Sequence, residues 1–427
     1  MKAIILAAGR SKRMKPISDK NFLNFVGKPL IVHQLESLRA AGFEEIIVVG
    51  GAHNMAQFEK LRREIDFELV EQEDLDAGMC GAVLSSREKI GDGPVLIFSS
   101  NDVVDESAFE LIKKASEGEA DSYILGKKVD EYFPGGYLDI DDNGLIRGIV
   151  EKPGEGNEPS DIINLVLHLH KNPKKLIEKL EQVSSESDDL YEKAMDELIK
   201  EGAKFEAVPY EGFWQAIKFP WHVQKVFDYY FGKAEKGVSD EASVADSACV
   251  QGEVIIEKGA KIFAGACVNG PAYIGKGAVI GNNALVREAS VGENSVIGFG
   301  TEVARSFLGN DVWTHSNYVG DSVIGNNVSF GAGAVTGNLR LDEENVHVRH
   351  GEGKLDTGSN KFGLICGDNV RFGINASLMP GVKVGADSFV GAGVILAEDV
   401  PDGSFVRAKV ELKISKNKGK VTKRDSL

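Results

Sequence analysis

Cysteine is scarce: Cys80, Cys249, Cys267 and Cys366 are the only four in 427 residues, and no two form a CxxC pair. That spacing suggests neither a zinc site nor a disulfide framework and predicts buried thiols in a reducing compartment. Long apolar runs are missing too. Nowhere do about 18 apolar residues occur together, and the opening MKAIILAAG is too short an apolar run for a signal peptide. Neither secretion nor membrane spanning is expected, and the predicted location is cytoplasmic. Positive charge is in deficit, with 49 Lys and Arg against 65 Asp and Glu, a formal charge of −16. Such a chain repels a phosphate backbone, and no basic stripe interleaved with aromatics offsets this, so nucleic acid is not an expected partner. What is present, 42% hydrophobic residues in a chain of this length, supplies cores for two or three domains.

From residue 238 onward Val238, Val244, Val250, Ile256, Ile262, Val268, Ile274, Ile280 and Val286 recur every six positions. Were roughly a quarter of positions Val, Ile or Leu, such a run would arise on the order of once in a hundred thousand starts. Six residues suit one short strand and one corner, the β-branched side chain pointing inward and a small residue permitting the turn. Three such faces close a coil. Val291, Ile297 and Val303 continue after a one-residue slip, Ile324 and Phe330 follow, and Val384, Val390 and Leu396 resume the pattern. A prism over 238–405 is predicted. Its excursion spans 338–362, where the polar stretch NLRLDEENVHVRHGEGKLDTGSNKF offers no inward apolar residues. The repeat resembles the hexapeptide prisms of acyltransferases and many sugar-nucleotide enzymes. That resemblance implies a left-handed parallel β-helix and a homotrimer with acyl-CoA between adjacent prisms; the repeat alone also allows a purely architectural prism.

In the N-terminal half, KAIILAAG reads as a buried strand entering a turn, and IVHQLESLRAAGF followed by EEIIVVGG reads as helix then strand. Further strands are expected at FELVEQ, GPVLIFSSND and DSYILGK, and helices at AFELIKKASE, NPKKLIEKLEQV and DLYEKAMDELIKEG. A Rossmann-like α/β domain over 1–232 follows, with a mostly parallel sheet, helices on both faces and ligands at the strand carboxyl ends.

LAAGRSKRMKPISDKNFLNFVGKPLI resembles the opening signature of sugar-1-phosphate nucleotidyltransferases. Gly9, Arg13, Met14, Lys20 and the block Gly27, Lys28, Pro29 match that motif, while Ser11 and Lys12 replace its Gly-Thr. Joining two anions at an α-phosphate requires fixed cations and backbone N–H groups, the work implied for Arg13 and Lys20. The loop Leu6, Ala7, Ala8, Gly9 has room for a base, and the resemblance implies pyrimidine contacts by this loop and Gln72, so UTP or dTTP is expected. EQEDLDAGMCGAVLSS, SSNDVVD and VEKP then follow in the family's order. By resemblance Gly78 approaches the nucleotide, and Met79 stands where a hydroxyl residue is frequent. Asp102 holds magnesium (Mg2+), Glu151 accepts from sugar hydroxyls, Lys152 holds the sugar phosphate, and Gly136 and Asn164 complete the sugar contacts. One position departs: in EGFWQAIKFPWHV, Ala216 stands where the family has its second magnesium-binding aspartate. Weaker magnesium binding is expected, or a relocated carboxylate such as Glu211, or a domain that binds a sugar nucleotide without turning it over.

Within the repeat, THSNYVGDSVIG followed by FGAGAVTGNLR resembles the acetyltransferase half of bifunctional enzymes that make UDP-N-acetylglucosamine, closest to the archaeal type. N-Acetylation needs a base for the amine proton and a donor for the oxyanion. The resemblance implies that His315 is that base, that Tyr318 and Asn338 bind the amino-sugar phosphate or polarise the intermediate, and that Arg305 faces the phosphate, with acetyl-CoA as co-substrate. Glu343 and Glu344 replace cations expected after Asn338, leaving Lys354, Lys361 or Arg349 to serve. The basic tail, 406–427, either covers acyl-CoA phosphates or is a solvated terminus. The expected activity is acetylation of an amino-sugar 1-phosphate and nucleotidyl transfer to a sugar 1-phosphate. Two alternatives remain open: a nucleotidyltransferase with an architectural prism, and a non-catalytic sugar-nucleotide-binding protein.

Overall fold

The computed structural model describes residues 1–185, 189–409 and 411–419. A nine-stranded sheet organises the N-terminal part. Its first strand, Lys2–Leu6, lies between Glu45–Gly51 and Val95–Ser99 and is parallel to both. Alternation along that strand feeds two cores: Ala3 and Ile5 pack on one face with the helix Leu30–Ala40, Ile4 and Leu6 on the other with the helix Gly78–Ser85.

The expectation of a mostly parallel sheet is corrected. Ile162–His170 runs antiparallel to both Val95–Ser99 and Ser122–Lys128, and Gly136–Ile140 pairs antiparallel with Ile146–Glu151. For the second pair the cause is local: Asp141 accepts from the N–H groups of Asn143 and Leu145, turning the chain back too tightly for a parallel crossover.

Beyond residue 236 short strands stack into parallel sheets, from Gly237–Val238 to Phe405–Val406. This is the left-handed β-helix that the resemblance to hexapeptide prisms implies. Its interior holds Ile256, Ile274, Val291, Leu308 and Ile324 in successive coils. One sheet is apolar on both sides: Ile255, Tyr273, Phe307, Val323 and Ile365 point outward and form a shared core with Phe25, Ile217 and Phe227 of the N-terminal part. Both faces are buried, so its strands read as paired apolar residues instead of alternating.

The Phe362 N–H donates to the Asn338 carbonyl (2.9 Å), closing the excursion. Inside it His347–His350 and Gly353–Asp356 form an antiparallel hairpin. The excursion is not wholly polar in its packing: Val346 and Val348 are buried in the interdomain core. Two further readings are corrected. Val238 and Val244, at the open end of the prism, are exposed. Cys249 and Cys267 are only partly buried and are register neighbours on adjacent coils, while Cys80 and Cys366 are buried. Among the described residues no helix is long and apolar enough to cross a membrane. Residues 407–409 and 411–419 of the tail have no regular structure; the rest of it, 410 and 420–427, lies outside the described residues.

Candidate functional site

The loop after the first strand is built on buried polar groups. Asn21 and Asn54 both donate to the Ala7 carbonyl (3.2 and 3.0 Å), and Asn54 also donates to Asp19 (2.7 Å). This cradle fixes Leu6–Gly9 at the mouth of a cavity of about 480 Å³, which Arg13, Lys20, Gln72, Gly78 and Met79 also line. A side chain at Gly9 would meet nothing within 4 Å, so this wall faces open space. Gln72 is buried and donates to the carbonyls of Asp74 (2.8 Å) and Gly78 (2.9 Å), folding that loop over the cavity.

A second cavity, of about 230 Å³, opens alongside and shares Arg13, Ser99, Asn101 and Lys218 with the first. Gly136, Glu151, Lys152 and Asn164 line it. A Cβ at Gly136 would lie 3.0 Å from Glu151 Oε2 and 3.4 Å from Asn164 Cβ, so any larger residue would push the Glu151 carboxylate aside. Lys152 is 3.0 Å from Glu151.

Asp102 lines this second cavity and is buried, its Oδ1 accepting from the Trp214 indole N–H (2.8 Å). Burial pushes its carboxyl up, against the pull of Trp214, Lys218 and Lys20. Burial in turn brings Lys20 and Lys218 down to about 8, with Asp102 opposing both shifts. Ala216 is the register partner of Asp102 and brings no carboxylate. Glu211 is exposed and lines neither cavity, so relocation of the carboxylate to that residue is corrected. One Asp102 oxygen remains for a cation, which fits magnesium completed by phosphate and water oxygens better than an all-protein cage. Among the described residues no cluster of three or more His, Cys, Asp or Glu is arranged to hold a metal.

Sequence reasoning missed Lys218, although it follows Ala216 by two residues. It also missed a buried chain behind Asn164. His168 Nε2 lies 2.7 Å from Asn164 Oδ1, Tyr191 OH 3.0 Å from His168 Nδ1, His170 Nε2 3.2 Å from that hydroxyl, and Ser122 Oγ 2.8 Å from His170 Nδ1. Burial holds both imidazoles at about 3, so both are neutral, and each proton has one acceptor. The chain runs from Ser122 to Asn164 and leaves the Asn164 NH2 for the cavity.

On the prism, Arg305 and Asn338 converge on Asp321, which the sequence reading left out, and Tyr318 joins them through Asn338. Arg305 Nε and Nη2 donate to the two Asp321 oxygens (2.7 and 2.8 Å); Asn338 donates to Asp321 and to the Tyr318 hydroxyl (3.1 Å). Arg305 is therefore held by a carboxylate and is not a free cation, and that bond pushes its guanidinium further up. A cavity of about 390 Å³ runs past Arg305 and Asp321, with Lys361 on its rim. Lys354 lies in the hairpin and lines none of these cavities; Arg349 faces the N-terminal loop instead. His315 is exposed on a corner pinned from below: buried Asn317 accepts from the His315 N–H and donates to the carbonyls of Gly331 (2.8 Å) and Ala334 (2.9 Å). Among the described residues the His315 ring has no hydrogen-bond or ion-pair partner.

A parallel βαβ core with paired cavities around a buried aspartate, joined to a hexapeptide prism, defines a nucleotidyltransferase-type protein with an acyltransferase-type domain. Residues 2–217 match the "Nucleotidyl transferase" family model. The "Bifunctional sugar-1-phosphate nucleotidylyltransferase/acetyltransferase" of Sulfurisphaera tokodaii is 34% identical over 95% of this chain and 100% of its own. The "Bifunctional protein GlmU" of Methanocaldococcus jannaschii is 34% identical over 96% and 98%, and that of Methanococcus maripaludis 33% over 98% and 100%. The chain belongs to this family of bifunctional sugar-1-phosphate nucleotidyltransferases/acetyltransferases. Among solved structures, a UDP-glucose pyrophosphorylase complexed with UDP-glucose is similar at 20% identity and a TM-score of 0.49, over 55% of this chain and 99% of that one.

Proposed function

We propose that the protein acetylates an amino-sugar 1-phosphate with acetyl-CoA on its prism (238–405) and transfers a nucleotidyl group from UTP or dTTP to the sugar 1-phosphate in its N-terminal domain (1–232). The observation that carries this reading is the pair of cavities meeting at Arg13, Asn101 and Lys218 beside Asp102, one the larger and lined by the signature loop, the other lined by the VEKP strand. Leu6 to Gly9, Gln72 and Gly78 take the base; Gly136, Glu151 and Asn164 take the sugar; Lys152 takes its phosphate. A sugar-phosphate oxygen attacks the α-phosphorus, and the bond to pyrophosphate breaks. Arg13, Lys20 and Lys218 offset the charge that gathers there. Asp102 is the residue that would hold magnesium, which supplies further charge neutralisation at the phosphates.

On the prism His315 takes the amine proton as nitrogen attacks the thioester, and coenzyme A leaves as the thiol. Asp321 orients Arg305 and Asn338, while Tyr318 and Asn338 meet the amino-sugar phosphate or the developing oxyanion. A homotrimer completes this surface. In support, Phe299 (62% exposed), Trp313 (52%) and Ile395 (74%) leave large apolar groups uncovered on the prism.

Ala216 favours a second reading, a nucleotide site that binds without turnover. Incubating the full chain with acetyl-CoA, UTP, magnesium and individual amino-sugar 1-phosphates tests the proposal by product mass. An N-acetylated nucleotide sugar is expected with at least one epimer. Acetylated sugar phosphate alone favours the second reading, and no product contradicts both activities.

A further inference from the structure

Between the signature loop and the excursion hairpin lies another cavity, of about 200 Å³, lined by Lys12, Arg13, Lys15, Arg349, His350 and Lys383 among others, none of them acidic. In a chain of net charge −16 this concentration of cations is out of character. Lys383 pairs with Asp399 (3.3 Å), but among the described residues no carboxylate pairs with Lys12, Arg13, Lys15 or Arg349. Surface cations of acidic proteins ordinarily find acidic neighbours; a cluster left unpaired in a concave site focuses positive potential toward an anion.

The hairpin is firmly placed. Val346 and Val348 are buried in the interdomain core, and Lys383 Nζ donates to the Arg349 carbonyl (2.6 Å). Phe219 joins the two sides: it stacks on Trp221 (4.5 Å between centroids), carries Arg13 at 5.9 Å and meets His350 edge-on at 6.0 Å. The cavity adjoins the site already described, because Lys12 and Arg13 also line the 480 Å³ cavity. At 200 against 480 Å³ it is less than half as large, and its lining offers charge in place of a flat slot for a base.

We propose that this cavity receives the pyrophosphate portion of the nucleoside triphosphate, so that the prism's hairpin, through Arg349 and His350, is part of the nucleotidyl site. As the new bond to the α-phosphorus forms, the bridging oxygen departs with the bonding electrons on pyrophosphate. Negative charge increases where Lys12, Lys15 and Arg349 surround it. The inference rests on the nucleotidyl-transfer reading, but its ligand can be measured without turnover.

Calorimetric titration of magnesium pyrophosphate, UTP and UMP into the full chain and into the Arg349→Ala/His350→Ala double variant tests it. Pyrophosphate and UTP are each expected to bind the variant at least about tenfold more weakly, as loss of two charge-assisted contacts implies, while UMP affinity stays within about twofold. Saturating UTP should prevent pyrophosphate from binding the wild-type chain. Unchanged pyrophosphate affinity overturns the proposal, and so does an equal loss for UMP, which would mark a general disturbance. Pyrophosphate that binds alongside saturating UTP shows a separate anion site and overturns the leaving-group assignment. Failure of the enzyme to turn over leaves all three titrations readable. Arg349→Lys, which keeps the charge, should restore most of the affinity.

Discussion

Ala216 stands directly across from Asp102 in a two-stranded antiparallel sheet formed by Asp102–Val104 and Trp214–Ala216. Side chains at such facing positions lie about 4.5–5.5 Å apart at Cβ, close enough for two carboxylates to share one cation. A methyl group occupies the second place here, and Lys218, two residues beyond that strand, lines both cavities. Position 216 therefore offers Asp102 no second carboxylate, and the nearest added charge on that segment is the Lys218 ammonium, two residues further along.

Restoring the carboxylate should therefore tighten magnesium. Ala216→Asp is expected to lower the magnesium concentration for half-maximal nucleotidyl transfer by on the order of tenfold, equivalent to about 1.4 kcal/mol. Magnesium titrations of the two forms check this; an unchanged midpoint means that position 216 does not face the metal.

Lys218→Met removes the ammonium without much change in volume. Pyrophosphate release should fall by roughly a hundredfold in kcat, the scale of losing one charge-stabilising group. Coenzyme A release from acetyl-CoA should be unaffected, since the prism's residues are elsewhere.

Acid stability follows from the buried histidines. His168 and His170 lie at about 3 and His222 at about 4, all lowered first by burial. Unfolded, each titrates near about 6.5, so between that value and about 3 to 4 the unfolded chain binds protons that the folded chain refuses. Stability is fully present above about 6.5 and falls as the pH drops below it. Urea unfolding from pH 7.5 to 5 should show this slope, and His168→Gln should flatten it. The same variant keeps a side-chain amide near Asn164, so a rise in KM for the sugar phosphate beyond a few fold would show that the ring itself positions Asn164.

On the prism, His315→Ala is expected to reduce acetyl transfer by about 10²- to 10⁴-fold, the usual range for a lost general base. Asp321→Ala should reduce it as well and also cost about 1–3 kcal/mol, because Arg305 and Asn338 lose their common acceptor. Asp321→Asn, isosteric but uncharged, separates the two effects: thermal stability recovers more than activity. Normal acetyl transfer in His315→Ala would remove the base assignment.

The prism was legible because a period of six repeats often enough for chance to be discounted, and its excursion because the period stops at Asn338. Partners were less legible. Val346 and Val348 sit in a polar stretch, and only the folded chain brings them to the interdomain core. The antiparallel strands Gly136–Ile140 and Ile146–Glu151 were missed because glycines and polar residues interrupt their apolar alternation. Motif order located Asp102, Glu151 and Asn164, but motifs name residues singly. The ties from His168 to Asn164 and from Asp321 to Arg305 depend on strand register, which a linear pattern of residue types does not contain.

The most direct measurement is pyrophosphate release in magnesium buffer, with UTP and dTTP each set against glucose, glucosamine, galactosamine and N-acetylated sugar 1-phosphates. The site as built, with Asp102 opposed by Lys20 and Lys218, predicts release for at least one pair and its loss in Arg13→Ala. No release with any pair, while nucleotide still binds, would contradict nucleotidyl transfer and leave the N-terminal domain a binding site.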